Sequence, residues 1–332
     1  MTRLGMHSKK GALKYQKIVE WIEASVVSKE FRIGDRLPSI NDICTAQRLS
    51  RDTVLLAFRM LKERGIVQSV PGKGYFIKSE NIAVQQKVFL LFDELNSFKE
   101  DLYNSFIQHM GKEVQVDLFF HHFNASVMRS LIRDHLGLYS HYVIMPAHVK
   151  GVQQMIEILP KNQVYLLDQT SEALKKYPAV YQNFENGIYN CLHRIAAFFS
   201  KYNRFVLLFD SQRQPLGILK GFEKFTEVSQ MEQRVISSLE NRIPKKGEVY
   251  FVLDDTNLIV LIKKIRKEQL VLGKDIGIIS YNDTLLKEVF EGGITTISTD
   301  FKKMGAQLSD MIQKNEKSQV ENEIYYVIRK SL

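Results

Sequence analysis

Thiols are scarce in this 332-residue chain: Cys44 and Cys191 are its two cysteines, far apart and both inside helical patterns. They match no metal-ligand or redox spacing, which excludes a disulfide framework and leaves two reduced core thiols in a cytoplasm as the expectation. Long apolar runs are missing too. None approaches the ~20 residues of a membrane span, and the polar start MTRLGMHSKKG has no apolar signal-peptide core. A cytoplasmic protein with no membrane partner is therefore expected. Catalytic signatures are equally lacking: neither G-x-S-x-G nor H-E-x-x-H occurs, and the eight histidines are scattered. His121-His122, at a strand end, reads more readily as a surface pair than as a metal site. No catalytic residue, metal or cofactor is expected, and the chain does not read as an enzyme.

What is present is an ordinary globular composition, 45% hydrophobic and 25% charged, with length enough for two or three domains. The net charge of +9 is unevenly spread. Residues 1–80 hold 15 lysines and arginines against 8 acids, a net of +7, and the other 252 residues carry +2. An excess of this kind suits a segment that meets a polyanion, although a merely soluble basic surface would look the same.

In residues 13–29, Tyr15, Ile18, Val19, Ile22 and Val26 form a helical apolar stripe. Gly34 and Pro38 break it. Ser39, with Asp42 three residues on, can open a second helix through a capping-box variant. Ser50 can cap a third, whose apolar positions are Val54, Ala57, Phe58 and Leu61, and Gly65 stops it. Two β segments, Ile66–Val70 and Tyr75–Ile77, then flank Pro71-Gly72-Lys73-Gly74. Three helices followed by a hairpin predict a winged helix-turn-helix. A recognition helix enters the major groove with its N-terminal residues leading, which places Arg51 and Thr53 nearest the base edges. Arginine can donate two hydrogen bonds to guanine O6 and N7. Gly72 and Gly74 let the wing approach phosphates, and Lys73 adds charge at its tip. This turn is no nucleotide P-loop, because the G-x-x-x-x-G-K-[ST] spacing is absent and no helix follows.

The residues Gly34-Asp35-Arg36-Leu37-Pro38-Ser39, Leu49 to Val54, Ala57-Phe58, Glu63-Arg64-Gly65-Ile66-Val67 and Gly72 to Phe76 together resemble the GntR family of bacterial transcription regulators. The resemblance implies operator DNA as partner and a DNA-facing set of Arg36, Ser39, Asn41, Ser50, Arg51, Asp52, Thr53, Gly72, Lys73 and Gly74. For Arg36 and Arg48, phosphate contact and plain solubility stay open. Asn41 stands where many members carry arginine on the second helix, and Leu55 where some carry one on the third.

Residues 79–87 read as a polar linker between a DNA-binding domain, 1–78, and an effector domain, 88–332. Beyond the linker, strand candidates Val88–Phe92, Val114–Phe120, Tyr142–Met145, Val164–Leu167, Phe205–Phe209, Val249–Leu253 and Ile276–Ser280 alternate with helices. That rhythm predicts an α/β fold with parallel sheets covered on both faces and ligands beyond the C-terminal strand ends.

Four stretches, residues 180–195, 217–225, 249–283 and 294–332, are similar to the sugar-binding domain of the LacI and periplasmic-binding-protein type I family. The resemblance implies two lobes, about 88–175 plus 300–315 and about 180–292 plus the C-terminal strand, joined by three crossings around a ligand cleft. Its ligand contacts fall on Asp255 and Asn282, and more loosely on Asn183, Phe184 and Asp93. Ile218 replaces an arginine common in the family, for which Arg213 is a substitute donor. Asp255 fits ligand contact or helix capping; Phe98 fits stacking on a sugar or the core. His148, at a strand end, completes the set.

A GntR-type head on a LacI-type body resembles bacterial arabinose repressors. The expectation is a homodimeric regulator of carbohydrate-use genes, by default a repressor, controlled by a monosaccharide. The alternative is an activator sensing a phosphorylated sugar or other small metabolite. A fusion to a pyridoxal-phosphate aminotransferase, known for some GntR-type proteins, does not fit the shorter remainder, and a free transport protein would have no use for the basic head.

Overall fold

The computed structural model describes residues 14–80, 86–111, 114–229 and 231–332. The polar N-terminal start and residues 81–85 of the expected linker lie outside that description.

The head assembles around the expected stripe. Helix α1 (Lys14–Val27) buries Tyr15, Ile18, Val19, Ile22 and Val26, and adds Trp21. Helix α2 (Ile40–Gln47) begins in a complete capping box: Ser39 Oγ accepts from Asp42 N, and the Asp42 carboxylate accepts from Ser39 N. Helix α3 (Arg51–Glu63) starts at Ser50, whose hydroxyl accepts from Thr53 N, and terminates before Gly65, held at φ 69°. Strands β1 (Val67–Val70) and β2 (Gly74–Ile77) pair antiparallel, and Arg36 bridges to Phe76 beside them. Val54, Ala57, Phe58 and Leu61 meet α1 in one core, as their helical spacing requires.

The body holds two six-stranded sheets. The first is built from β3 (Lys87–Phe92), β4 (Gln115–Phe120), β5 (His141–Ile144), β6 (Val164–Asp168) and β7 (Ala179–Gln182), with α4 (Ser97–Met110), α5 (Ala125–Asp134) and α6 (Val152–Glu157) between them. The second begins after helix α7 (Phe184–Arg194) and comprises β8 (Arg204–Leu208), α8 (Leu216–Ser229), β9 (Glu232–Ile236), β10 (Glu248–Val252), α9 (Asp255–Lys267), β11 (Gly277–Tyr281), α10 (Leu285–Val289) and β12 (Thr295–Thr299). The chain then returns to the first lobe with α11 (Phe301–Gln313) and β13 (Gln319–Asn322), and ends in the second with β14 (Ile324–Val327). The orders are β13-β7-β6-β5-β3-β4 and β14-β12-β11-β10-β8-β9. All pairings are parallel except β12 with β14.

The first lobe takes more chain than its expected bounds of 88–175 plus 300–315. Strand β7 belongs to its sheet, and β13 pairs parallel with β7, so backbone groups that would otherwise sit at an edge are satisfied. The crossings fall after β7, after β12 and between β13 and β14. Strand β9 escaped the alternation because it is an edge strand whose first four residues are exposed. No helix among the described residues is long and apolar enough to cross a membrane.

Helices α7 and α8 pack backbone to backbone at Gly221. A Cβ there would lie 2.5 Å from the Glu185 carbonyl oxygen and 2.9 Å from Ile188 Cβ. Gly221→Val should therefore cost about 1–3 kcal/mol through overpacking, read as a lower urea midpoint; an unchanged midpoint would show that the helices can part freely.

Candidate functional site

On the head, the first turn of α3 is open to solvent. Arg51 and Asp52 are exposed, and Ser50 Oγ lies 2.7 Å from Thr53 Oγ1. Arg51 Nη1 donates to Asn41 Oδ1 at 2.9 Å, so the second helix holds the guanidinium of the third in place. Asn41 thus has a use in positioning Arg51. The wing turn is sharp: Gly72 and Gly74 take φ of 70° and 108°, which L side chains rarely adopt. Lys73 is exposed at its tip, and the Arg36 side chain runs alongside, its Nε 3.4 Å from where a Gly74 Cβ would be. Arg36, Ser39, Asn41, Arg51 and Lys73 are all exposed on this small domain.

In the body, the C-terminal ends of both sheets face one cleft. At the end of β3, Asp93 is buried and paired with the buried ammonium of Lys99 from α4. Asp168, at the end of β6, takes φ 71° and is also buried, which pushes its carboxyl above the usual range; Lys99 opposes that rise and Asp93 adds to it. Gln182 Nε2 donates to Asp168 at 2.5 Å, and Gln182 Oε1 accepts from Tyr281 of the second lobe at 2.7 Å. A hydrogen-bonded chain thus crosses between the lobes from Asp168 through Gln182 to Tyr281.

At the mouth, Arg213 of the second lobe donates to Glu94 of the first at 2.7 Å, and its guanidinium lies 5.7 Å from the centre of the Phe123 ring. These three line a cavity of about 430 Å³ together with Asp210, Asp254 and Asn257. A second cavity, about 290 Å³, lies between Phe98, Asp101, Asp283, Thr299 and Asp300. Asn282, at φ 62°, is 7% exposed, and its Oδ1 has no hydrogen-bond partner among the described residues. Lys287 braces that turn from beneath: its buried Nζ donates to the carbonyls of Tyr281 and Asn282, both at 2.7 Å, and pairs with Asp255 at 3.0 Å. Burial pulls this ammonium below the ordinary lysine range. His121 donates from Nε2 to the Met145 carbonyl and accepts at Nδ1 from Phe123 N, the neutral tautomer that burial favours by lowering its pKa.

A family model described as "Bacterial regulatory proteins, gntR family" matches residues 14–77. The head is a gntR-family domain. The mannosyl-D-glycerate transport/metabolism system repressor MngR of Escherichia coli is 32% identical over 80 residues, which is 24% of this chain and 33% of that relative, so the chain spans about a third of its length. Among solved structures, the body is similar to the Lac repressor dimer bound to operator and the anti-inducer ONPF (TM-score 0.60, 15% identity, covering 74% of this chain and 93% of that one). It is also similar to a periplasmic binding protein/LacI transcriptional regulator from Alkaliphilus metalliredigens complexed with D-xylulofuranose (TM-score 0.59, 11% identity, 74% and 98% covered). The body therefore has the LacI-type fold.

Around the gntR head and the LacI-type body, the candidate residues sort by what surrounds them. Arg213 lines the larger cavity, and Phe98 lines the smaller one while its ring lies tilted against Phe301 with ring centres 4.8 Å apart. Asp255 does not cap α9. Asp254 does, accepting from Asn257 N at 2.8 Å, and leaves Asp255 to Lys287. Asn183 caps α7 and donates to Glu321 across the crossing, so its amide is already engaged. Phe184 is 9% exposed and packs in the second lobe's core. His148 is exposed on the loop after β5. Ile218 is buried in the same core as Phe184. Sequence reasoning passed over Lys99, Gln182, Tyr281 and Lys287. Lysine and tyrosine inside helices and strands give no signal until the fold turns them inward.

Proposed function

We propose that this chain is a transcription regulator: the gntR head binds operator DNA, and a small molecule held between the lobes of the LacI-type body alters that binding. The observation that carries the reading is the exposed Arg51, held by Asn41 at the leading end of α3, on the same chain as a two-lobed cleft. Arg51, Thr53 and the groove-facing end of α2 supply base contact, while Lys73 and Arg36 meet phosphates. As a homodimer, the protein presents two such helices to half-sites roughly 34–36 Å apart or a multiple of that. Repression relieved by the effector is the form we favour, in line with the similarity of the head to MngR.

For the effector we favour a neutral monosaccharide. The larger cavity brings Glu94, Asp210 and Asp254 together with one guanidinium, Arg213, which is already engaged by Glu94. A phosphorylated sugar would meet net negative charge there, whereas hydroxyl groups can donate to those carboxylates.

Two measurements test the reading. Selection of duplexes from a random library should enrich a two-fold symmetric sequence, bound with log affinity falling against log salt by about 0.9 per phosphate neutralised. A thermal-shift screen of monosaccharides should find at least one that raises the melting temperature, because ligand bound to the folded state stabilises it. No enriched sequence and a flat salt titration would sink the DNA-binding half; no shift from any neutral sugar would sink the effector assignment.

A further inference from the structure

The head meets the first lobe at Gly137. Gly137, in the loop between α5 and β5, has φ 82°, and a Cβ there would sit 3.3 Å from the Tyr15 ring and hydroxyl of α1 and 3.4 Å from the Met60 sulfur of α3. The loop beneath them is stiff. Tyr142, fully buried, donates its hydroxyl proton to the His135 carbonyl at 2.9 Å and accepts from Gly137 N at 2.7 Å. Beside this seat lies a cavity of about 180 Å³ walled by Met60 and Arg64 of the head and by Lys87, Leu138, Ser140 and Gln163 of the lobe. Arg64 is paired with Glu23 of α1, both side chains mostly covered. Aromatic and thioether groups closing on a glycine make a packed seam, which a freely swinging tether would not require.

The same unit of the lobe also reaches the cleft. Helix α5 starts next to Phe123, on which Arg213 of the second lobe rests, and runs ten residues, roughly 15 Å, to the seam. Strand β5 returns from the seam to Met145, whose carbonyl accepts from His121.

We propose that the head is seated on the first lobe at Gly137, the two moving as one body, and that the α5–β5 unit passes changes at the cleft mouth to the head. The seating stands by itself; the passing of changes rests on the regulator reading above. Rigid seating makes the first lobe, rather than the linker, the element that sets where α3 points.

Trp21 is the chain's single tryptophan and lies in the head core, so its anisotropy decay follows the head. In the full chain that decay should show the slow tumbling of the whole molecule, and Gly137→Leu should add a fast component from a released head. Met60→Glu, which places a charge in the seam without touching the strained loop backbone, should do the same; circular dichroism identifies whichever variant keeps its fold. A fast component already present in the unaltered chain, or none in a folded variant, would overturn the seating. In the released variant the selected duplex and the monosaccharide found by thermal shift should each still bind, with the sugar's effect on duplex affinity lost. A retained sugar effect would overturn the coupling. Failure of the unaltered chain to bind duplex or sugar would count against the regulator reading instead, and the anisotropy result would still decide the seating.

Discussion

Replacing Lys99 with alanine should destabilise the body by about 3–5 kcal/mol, the usual consequence of leaving one partner of a buried ion pair uncompensated. The Lys99 and Asp93 side chains are 7% and 5% exposed, so water cannot take over the role of the lost ammonium. Asp168 lies close enough that Lys99 also opposes the rise in its proton affinity. Two carboxyls would then share a dry site with no cation, and Asp168, whose side chain ties Gln182 to the Tyr281 contact across the lobes, would change its hydrogen bonding. Urea unfolding followed by circular dichroism measures the loss. Tryptophan fluorescence would not serve, because Trp21 reports the head. The double variant Lys99→Met with Asp93→Asn should recover much of the stability, since removing both charges removes the desolvation problem with them. A loss below about 1 kcal/mol, the level of a surface pair, would mean that the pair is hydrated and the cleft floor wetter than the packing indicates.

Arg51→Ala should weaken binding to the selected duplex by about 1–3 kcal/mol, roughly five- to 150-fold, and relax the preference at one base pair of each half-site. The prediction is specific because Arg51 is exposed, begins its helix and is steered by Asn41 Oδ1. Lys73→Ala provides the contrast. A wing-tip lysine meeting phosphate should lower affinity evenly over all sequences and reduce the salt slope by about one phosphate. Fluorescence anisotropy at fixed salt, with the selected duplex and single-base variants, separates the two patterns. Equal affinity and unchanged base preference for Arg51→Ala would remove it from the interface.

The head is largely legible in its amino-acid sequence, because its signals are local. Ser39 with Asp42, Ser50 with Thr53, and Gly65 after α3 act within a few residues of chain, and each does in the fold what its spacing indicates. The alternating strands of the body are legible for a related reason: buried parallel strands must be apolar throughout. Strands β7, β12 and β13 are not, since Gln182, the threonines of β12 and Asn322 are polar side chains whose partners lie far along the chain.

The cleft divides the same way. Asp93, Asn282 and Arg213 could be marked from strand ends and from resemblance, but whether a polar group there is free or engaged depends on what the other lobe brings. Asn183 is claimed by Glu321, 138 residues away, and Asp255 by Lys287. The sequence by itself determined the elements and caps of the head, the apolar strands of the body and the uneven charge, all properties of neighbouring residues. Only the tertiary structure decided which buried charges are paired, which polar side chains are engaged and where the head rests, because those depend on contacts that chain order does not encode locally.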